Sequence, residues 1–170
     1  MPLVDKFERQ HRYLRVSVID KCNLRCVYCM PKEGLQWLPN PQLLSAAEII
    51  TLGRHFVQLG IEHIRLTGGE PTLRKDLLDI VRGLSNIQGL QELSMTTNGL
   101  KLNLQSKGLR EAGLNRINIS IDSLKEHRFA ELTRGGKLAK VLQGIDAAHD
   151  AGFGTNPHEP IKLNAVILPN

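Results

Sequence analysis

The sequence predicts an α/β fold, a partial TIM-like βα barrel of about five βα units. Short apolar runs rich in Ile, Leu, Val or Thr alternate with helix-like segments along the chain, which is typical of a parallel sheet covered by helices. Chemically distinctive residues follow these runs, at the strand ends where βα barrels gather their active sites. A complete barrel usually takes ~250 residues, so a chain of 170 residues predicts an incomplete one.

Five runs are predicted to be strands because they are short and rich in residues that strands favour. They cover residues 14–19, 63–67, 92–96, 116–121 and 162–167. Residues 153–160, before the last run, are rich in turn-forming residues and form a longer connection than αβ units usually have. No helix follows the last run before Asn170, which predicts a domain truncated at its C-terminal end.

Helices are predicted in the gaps between the strands. Ser45 followed by Glu48 forms a capping box, which begins a helix that reaches about residue 59, where Gly60 ends it. Further helices are expected over residues 75–84, 104–112 and 138–151, each with Gly or Asn near its end.

The composition favours an intracellular protein with an anionic small-molecule ligand. The chain has 22 Lys and Arg against 17 Asp and Glu, a formal charge of +5 and only 4% aromatic residues. The basic residues are scattered and lack interleaved aromatic residues, which argues against nucleic acid as a partner. No apolar run approaches the ~20 residues that span a membrane. Since neither a secretory signal nor a transit peptide is visible, we expect a cytoplasmic location over a mitochondrial matrix.

Three cysteines lie close together directly after the first predicted strand. Cys22, Cys26 and Cys29 are the only cysteines of the chain, and an odd, tightly spaced number argues against a disulfide framework. Thiolates select zinc, copper or iron–sulfur. Zinc would need a fourth ligand from a distant histidine, such as His11, His55 or His63. Three thiolates on a four-iron cube would instead leave one iron open for chemistry.

Five ordered motifs resemble those of one family. Cys-x3-Cys-x2-Cys with an aromatic residue before the last Cys is the signature of radical S-adenosylmethionine (SAM) enzymes. The surroundings are similar to GTP 3',8-cyclases of molybdenum cofactor biosynthesis over about residues 3–168. The motifs that carry this resemblance are Tyr-Leu-Arg-Val-Ser-Val at 13–18, the cysteine motif with Met-Pro after it, Arg-Leu-Thr-Gly-Gly-Glu-Pro at 65–71, Thr-Thr-Asn-Gly at 96–99 and Arg-Ile-Asn-Ile-Ser-Ile-Asp at 116–122.

The resemblance implies a set of cofactors and site residues. Cys22, Cys26 and Cys29 would bind a [4Fe–4S] cluster, the catalytic centre, whose open iron holds SAM. The residues implied for SAM are Tyr28, Gly69, Glu70 and Ser120, and those for GTP are Arg15, Arg65, Thr96 and Lys162. The residues themselves agree with this in part, because two glycines let backbone approach a ligand and two arginines among apolar strand neighbours suggest a buried anion.

The implied activity is a lyase reaction. A 5'-deoxyadenosyl radical made from SAM would take the hydrogen from C3' of GTP. The C3' radical would add to C8 of the guanine, and reduction would give 3',8-cyclo-7,8-dihydro-GTP. The implied partners are GTP, an electron donor for the cluster and the downstream cyclic pyranopterin monophosphate synthase. The resemblance also allows a homodimer, and it implies neither nucleic acid nor a membrane as a partner.

The chain departs from this family after Cys29, because it has no later cysteine. The family carries a second cysteine triplet and a second [4Fe–4S] cluster toward its C-terminal end. We therefore expect residues 1–170 to form the N-terminal radical SAM core domain alone, with one cluster and SAM but without cyclisation. The longer 153–160 segment could also shift the register of Lys162.

Two alternatives remain open at this stage. Another radical SAM enzyme or maturase would share the cysteine motif and the Gly-Gly-Glu-Pro segment, but it would not be expected to combine Arg15, Arg65 and the 96–99 motif. A non-enzymatic domain that binds zinc or nucleic acid is the alternative from a different class.

Overall fold

The computed structural model describes residues 3–157 and 159–167 and has one parallel sheet of five strands in chain order. The strands are β1 (Tyr13–Ser17), β2 (His63–Thr67), β3 (Glu92–Thr97), β4 (Arg116–Ser120) and β5 (Lys162–Asn164). The helices are α1 (Ala46–Gln58), α2 (Leu77–Ser85), α3 (Leu102–Glu111), α4 (Glu126–Thr133) and α5 (Leu138–Asp150). Sequential parallel order is the order of a βα barrel, here open between β1 and β5, so the predicted fold class is confirmed.

The structure corrects several predicted bounds. β1 and β4 end at Ser17 and Ser120, earlier than expected, and β5 is only three residues long. α2 begins at Leu77 instead of residue 75, because residues 75 and 76 still belong to a turn and Asp76 is the N-cap of the helix. The fifth strand is predicted to reach residue 167, but residues 165–167 lie outside any strand.

α4 is absent from the sequence prediction. Its eight residues are mostly polar and bury only Phe129, Leu132 and Thr133, so the apolar periodicity is too weak to indicate a helix. By contrast, the predicted capping box is present at the start of α1. The backbone N–H of Glu48 donates to Ser45 Oγ at 3.3 Å, and the backbone N–H of Ser45 donates to Glu48 Oε2 at 2.8 Å.

The sheet has one apolar and one polar face, because side chains alternate along each strand. The apolar face packs under α1, α2, α3 and α5 and buries Ile64, Leu66, Leu93, Met95, Ile117 and Ile119. The intervening positions are polar: Arg15, Arg65, Ser94, Thr96, Arg116, Asn118 and Lys162. A parallel sheet covered on both faces has nearly continuous apolar strands, so this alternation leaves one face free for polar ligands.

Arg74 joins three segments at the carboxyl ends of β1 and β2. Its guanidinium is 8% exposed and donates to the carbonyl oxygens of Val18 at 2.6 Å and Leu44 at 2.7 Å, as well as to Asp76 Oδ1 at 2.8 Å. A buried guanidinium must have its donors satisfied. These contacts therefore hold the residues after β1 against the turn that follows β2.

Among the described residues, no helix is long and apolar enough to cross a membrane.

The Arg74–Asp76 pair predicts a pH-dependent contribution to stability. The hydrogen bond from Arg74 lowers the pKa of Asp76 below its ordinary value of 3.8, so the unfolded chain takes up the proton first. The stability is fully present above the unfolded-state pKa and is lost as the pH falls through the lower folded-state pKa. We expect Asp76→Asn to lower the free energy of unfolding by about 1 kcal/mol at neutral pH, and the difference to shrink as the pH falls below 3.8.

Urea unfolding of both proteins at neutral and acidic pH measures this difference. Asp79→Asn is the matched control, since Asp79 also lies at the start of α2 but pairs with Arg82 at the surface, with both side chains more than half exposed. An equal loss for both variants, or a loss that does not depend on pH, would contradict the prediction.

Candidate functional site

The three cysteines lie in the loop that follows β1, at the carboxyl edge of the sheet. Cys22 and Cys26 are half-buried and Cys29 is exposed. The loop rests on the end of α4, because the backbone N–H groups of Arg25 and Val27 donate to the carbonyl oxygens of Thr133 at 3.3 Å and Leu132 at 2.9 Å. The helix that the sequence did not reveal is therefore the support of the cysteine loop.

Burial makes the thiolate form of two cysteines less favourable. It is the largest cause that raises the pKa of Cys22 and of Cys26 above the ordinary thiol value, and at Cys22 the hydrogen bond from the Leu24 N–H opposes it. A metal that binds these thiols must displace their protons. The group consists of three soft donors on one short loop beside open solvent, which suits an iron–sulfur cluster with one iron left free.

The histidines proposed as fourth zinc ligands lie away from the cysteines. His63 begins β2 opposite Tyr13, so it is at the amino edge of the sheet, about 13 Å along the strand from the carboxyl edge. His55 lies in the last turn of α1, and His11 is 3.7 Å from the carboxylate of Asp5. Within residues 3–157 and 159–167, no three His, Cys, Asp or Glu side chains surround a point suited to a single metal ion.

The loop after β2 approaches the cysteine loop at backbone distance. The N–H of Gly69 donates to the carbonyl oxygen of Ile19 at 2.7 Å, and the N–H of Glu70 donates to that of Lys21 at 2.8 Å. A Cβ on Gly69 would overlap the carbonyl oxygens of Asp20 and Lys21. Gly68, with φ +144°, would place a Cβ on the Ile19 oxygen. The glycines are thus required by contact between two loops, a reason that the sequence did not reveal.

The Glu70 carboxylate is buried and fully hydrogen-bonded. The residue is 1% exposed. Oε1 accepts hydrogen bonds from the backbone N–H and hydroxyl of Thr72 and from the Thr97 hydroxyl at 2.6 Å, and Oε2 accepts one from the Asn98 N–H at 2.7 Å. The carboxylate therefore joins the ends of β2 and β3. Its contact with SAM stays a prediction, and Gly68 and Gly69 are the exposed residues of this turn.

Tyr28 connects the cysteine loop to the segment that follows β4. Its hydroxyl donates to Asp122 Oδ2 at 2.7 Å, and Asp122 Oδ1 accepts from the N–H of Val166 at 2.9 Å. Burial and the hydrogen bond to Asp122 raise the pKa of Tyr28, so the phenol stays a proton donor. Asp122 is the second residue after β4, but its partner Tyr28 is 94 positions away. The sequence places Asp122 shortly after β4, but it does not reveal the contact with Tyr28.

Arg15 and Arg65 lie side by side on the polar face, where β1 and β2 pair residue to residue. Among the described residues, neither guanidinium has a carboxylate within 4.0 Å, whereas nearby Arg116 pairs with Glu92 at 2.7 Å. Arg65 instead contacts the Tyr13 ring, at 5.0 Å from its centroid. The cationic charge of Arg15 and Arg65 is thus not neutralised by the described chain, and it suits an anionic ligand.

Thr96, Asn118 and Lys162 form the next row of the polar face, on β3, β4 and β5. With its amide oriented to satisfy both groups, Asn118 Oδ1 accepts from the Arg65 guanidinium at 3.2 Å. The buried Thr96 hydroxyl has no hydrogen-bond partner among the described residues. The structure thus brings the residues predicted for GTP onto one face. Ser120 ends β4, nearer the carboxyl edge that also holds Cys22, Tyr28 and Gly69.

Comparisons with known proteins find relatives by sequence over nearly the whole chain. The profile of the radical SAM superfamily matches residues 16–170. The GTP 3',8-cyclase of Listeria welshimeri is 52% identical over 166 residues, which are 98% of this chain and 48% of that protein. The GTP 3',8-cyclase of Listeria monocytogenes is 51% identical with the same coverage. The chain therefore spans about half the length of the curated relatives it matches.

Comparison with solved structures supports the fold. Streptococcus suis SuiB bound to S-adenosylmethionine is similar with a TM-score of 0.68, over 91% of this chain and 32% of SuiB, at 16% sequence identity. A likeness at that identity concerns the fold alone, but the superfamily profile covers nearly the whole chain and includes the three cysteines. The chain therefore belongs to the radical SAM superfamily.

Proposed function

We propose that this chain is the cluster-binding and SAM-binding part of a GTP 3',8-cyclase, with residues 1–170 forming its N-terminal core domain. The main support for this proposal is the position of the cysteine loop next to the two arginines of the sheet. A loop with three cysteines lies at the carboxyl edge of a sheet whose polar face presents Arg15 and Arg65 without a carboxylate partner among the described residues. Similarity to GTP 3',8-cyclases over 98% of the chain supports the same function.

Cys22, Cys26 and Cys29 would hold a [4Fe–4S] cluster as thiolates. When bound, the cluster supplies the electron that cleaves SAM into methionine and a 5'-deoxyadenosyl radical. The Gly69 and Glu70 backbone, Tyr28 and Ser120 would hold SAM at the carboxyl edge. Tyr28 is suited to this position because its hydroxyl is fixed by Asp122 while 42% of the residue stays exposed.

Arg15, Arg65, Thr96 and Lys162 would bind GTP on the polar face. Guanidinium groups make forked hydrogen bonds with phosphate oxygens. The buried Thr96 hydroxyl, which has no hydrogen-bond partner among the described residues, would donate to the nucleotide. The sheet would orient C3' and C8 of GTP toward the carboxyl edge and exclude water there. An electron donor and the synthase that consumes the product are the proposed partners, and the enzyme would act in the cytoplasm, as a homodimer in its full length.

The chain has no cysteine after Cys29, so it offers thiolates for one cluster. We accordingly expect the 170-residue chain to cleave SAM when supplied with an electron, without forming the cyclic product from GTP.

Anaerobic reconstitution with iron and sulfide tests the cluster. We expect about four irons and four sulfides per chain, and release of 5'-deoxyadenosine when SAM and dithionite are added. Cys26→Ala should lose both, whereas Val27→Ala, an exposed neighbour between two of the ligands, should keep both. One bound zinc in place of iron, or an iron content that Cys26→Ala does not change, would refute the proposed cluster.

Equilibrium binding of GTP to the reconstituted chain tests the polar face. Arg65→Ala should weaken binding about tenfold to a hundredfold, since a charge-assisted hydrogen bond contributes about 1.5–3 kcal/mol. Arg82→Ala is the control, because Arg82 lies on α2 and pairs with Asp79 at the surface. Equal affinities for Arg65→Ala and the unmodified chain would show that GTP does not bind on this face.

A further inference from the structure

Asn98, the residue directly after β3, connects the Glu70 carboxylate to the cysteine loop. It is 8% exposed. Its backbone N–H donates to Glu70 Oε2 at 2.7 Å. Its side-chain Nδ2 donates to Asn23 Oδ1 at 2.7 Å and lies 3.9 Å from Cys22 Sγ, within hydrogen-bond distance for sulfur. One residue thus links the segments that follow β1, β2 and β3.

The orientation of the Asn98 amide is determined by its other contact. Oδ1 accepts a hydrogen bond from the N–H of Leu100 at 3.1 Å, so the NH₂ group must face the cysteine loop. A primary amide has two N–H donors. One is directed at Asn23, and the other is available to the sulfur of Cys22. The backbone N–H of Leu24, at 3.4 Å, is the second donor to that sulfur.

We propose that Asn98 is a positioning residue that holds the cysteine loop and donates a hydrogen bond to the Cys22 thiolate, which raises the reduction potential of the bound cluster. The inference rests on the proposed function, because it needs the cluster. Hydrogen bonds to cluster sulfurs stabilise the reduced form, which carries more negative charge, and they are one of the factors that set its potential. The cysteine motif does not indicate this asparagine, so its role is inferred from its contacts.

The test is a redox titration of the reconstituted cluster, followed by electron paramagnetic resonance, on the unmodified chain and two variants. Asn98→Leu removes the donors at similar volume, and Asn98→Asp keeps the acceptor for Leu100 but removes the NH₂ group. Both should shift the midpoint to more negative potentials, changing the ratio of reduced to oxidised cluster at a fixed potential by about two- to tenfold. Asn86→Ala is the control, because its amide bonds to Arg82 at the end of α2.

An unchanged or raised potential in both variants, at full iron content, would overturn the inference and leave the proposed cluster intact. Absence of a cluster in the unmodified chain would instead refute the proposed function. If neither variant binds iron, the test uses a chain that keeps Asn98 and carries Asn23→Asp, which preserves the acceptor for the Asn98 amide. With asparagine labelled with ¹⁵N at the side-chain amide alone, this chain should show a magnetic coupling between Asn98 Nδ2 and the reduced cluster, and absence of this coupling would overturn the inference.

Discussion

The buried carboxylate of Glu70 is the constraint on which the site depends. A carboxylate that is 1% exposed is costly unless its oxygens are hydrogen-bonded, and here every partner comes from the turn after β2 or from the end of β3. The two loops can satisfy it only in one relative position. Asn98 then links these two loops to the cysteine loop through its hydrogen bond to Asn23. Gly69, which has no side chain, lets the backbone after β2 contact the backbone of the cysteine loop.

The polar face of the sheet adds the second half of the site. Helices cover the other face and bury its aliphatic side chains, so the apolar core lies on the side of the sheet away from Arg15 and Arg65. Arg15 and Arg65 can therefore lie side by side despite their like charge, a cost that an anionic ligand would offset. The carboxyl edge and this face adjoin, so under the proposed function a radical made at the edge would lie close to a nucleotide bound on the face.

Much of this arrangement follows from local patterns in the sequence. Short apolar runs indicated all five strands, and Ser45 with Glu48 indicated the start of α1, because each signal lies within a few residues. α4 escaped prediction since only three of its residues are buried. Asn98 and Asp122 could be placed at strand ends but not given roles, because their partners lie 75 and 94 positions away. The sequence indicated the glycines of the 68–71 turn, but only the packing of two loops explains them.

Amide hydrogen exchange in Glu70→Gln measures whether the buried carboxylate holds the cysteine loop in place. The amide of a glutamine would place a donor where the carboxylate accepts from Asn98 or Thr97, so we expect faster exchange at the Asn98 amide and through residues 22–29. Exchange in α3 and α5 should stay as in the unmodified chain, and Glu131→Gln, at an exposed position on α4, should change neither region. Unchanged exchange through residues 22–29 in Glu70→Gln would contradict the account, because the cysteine loop would then be held without this carboxylate.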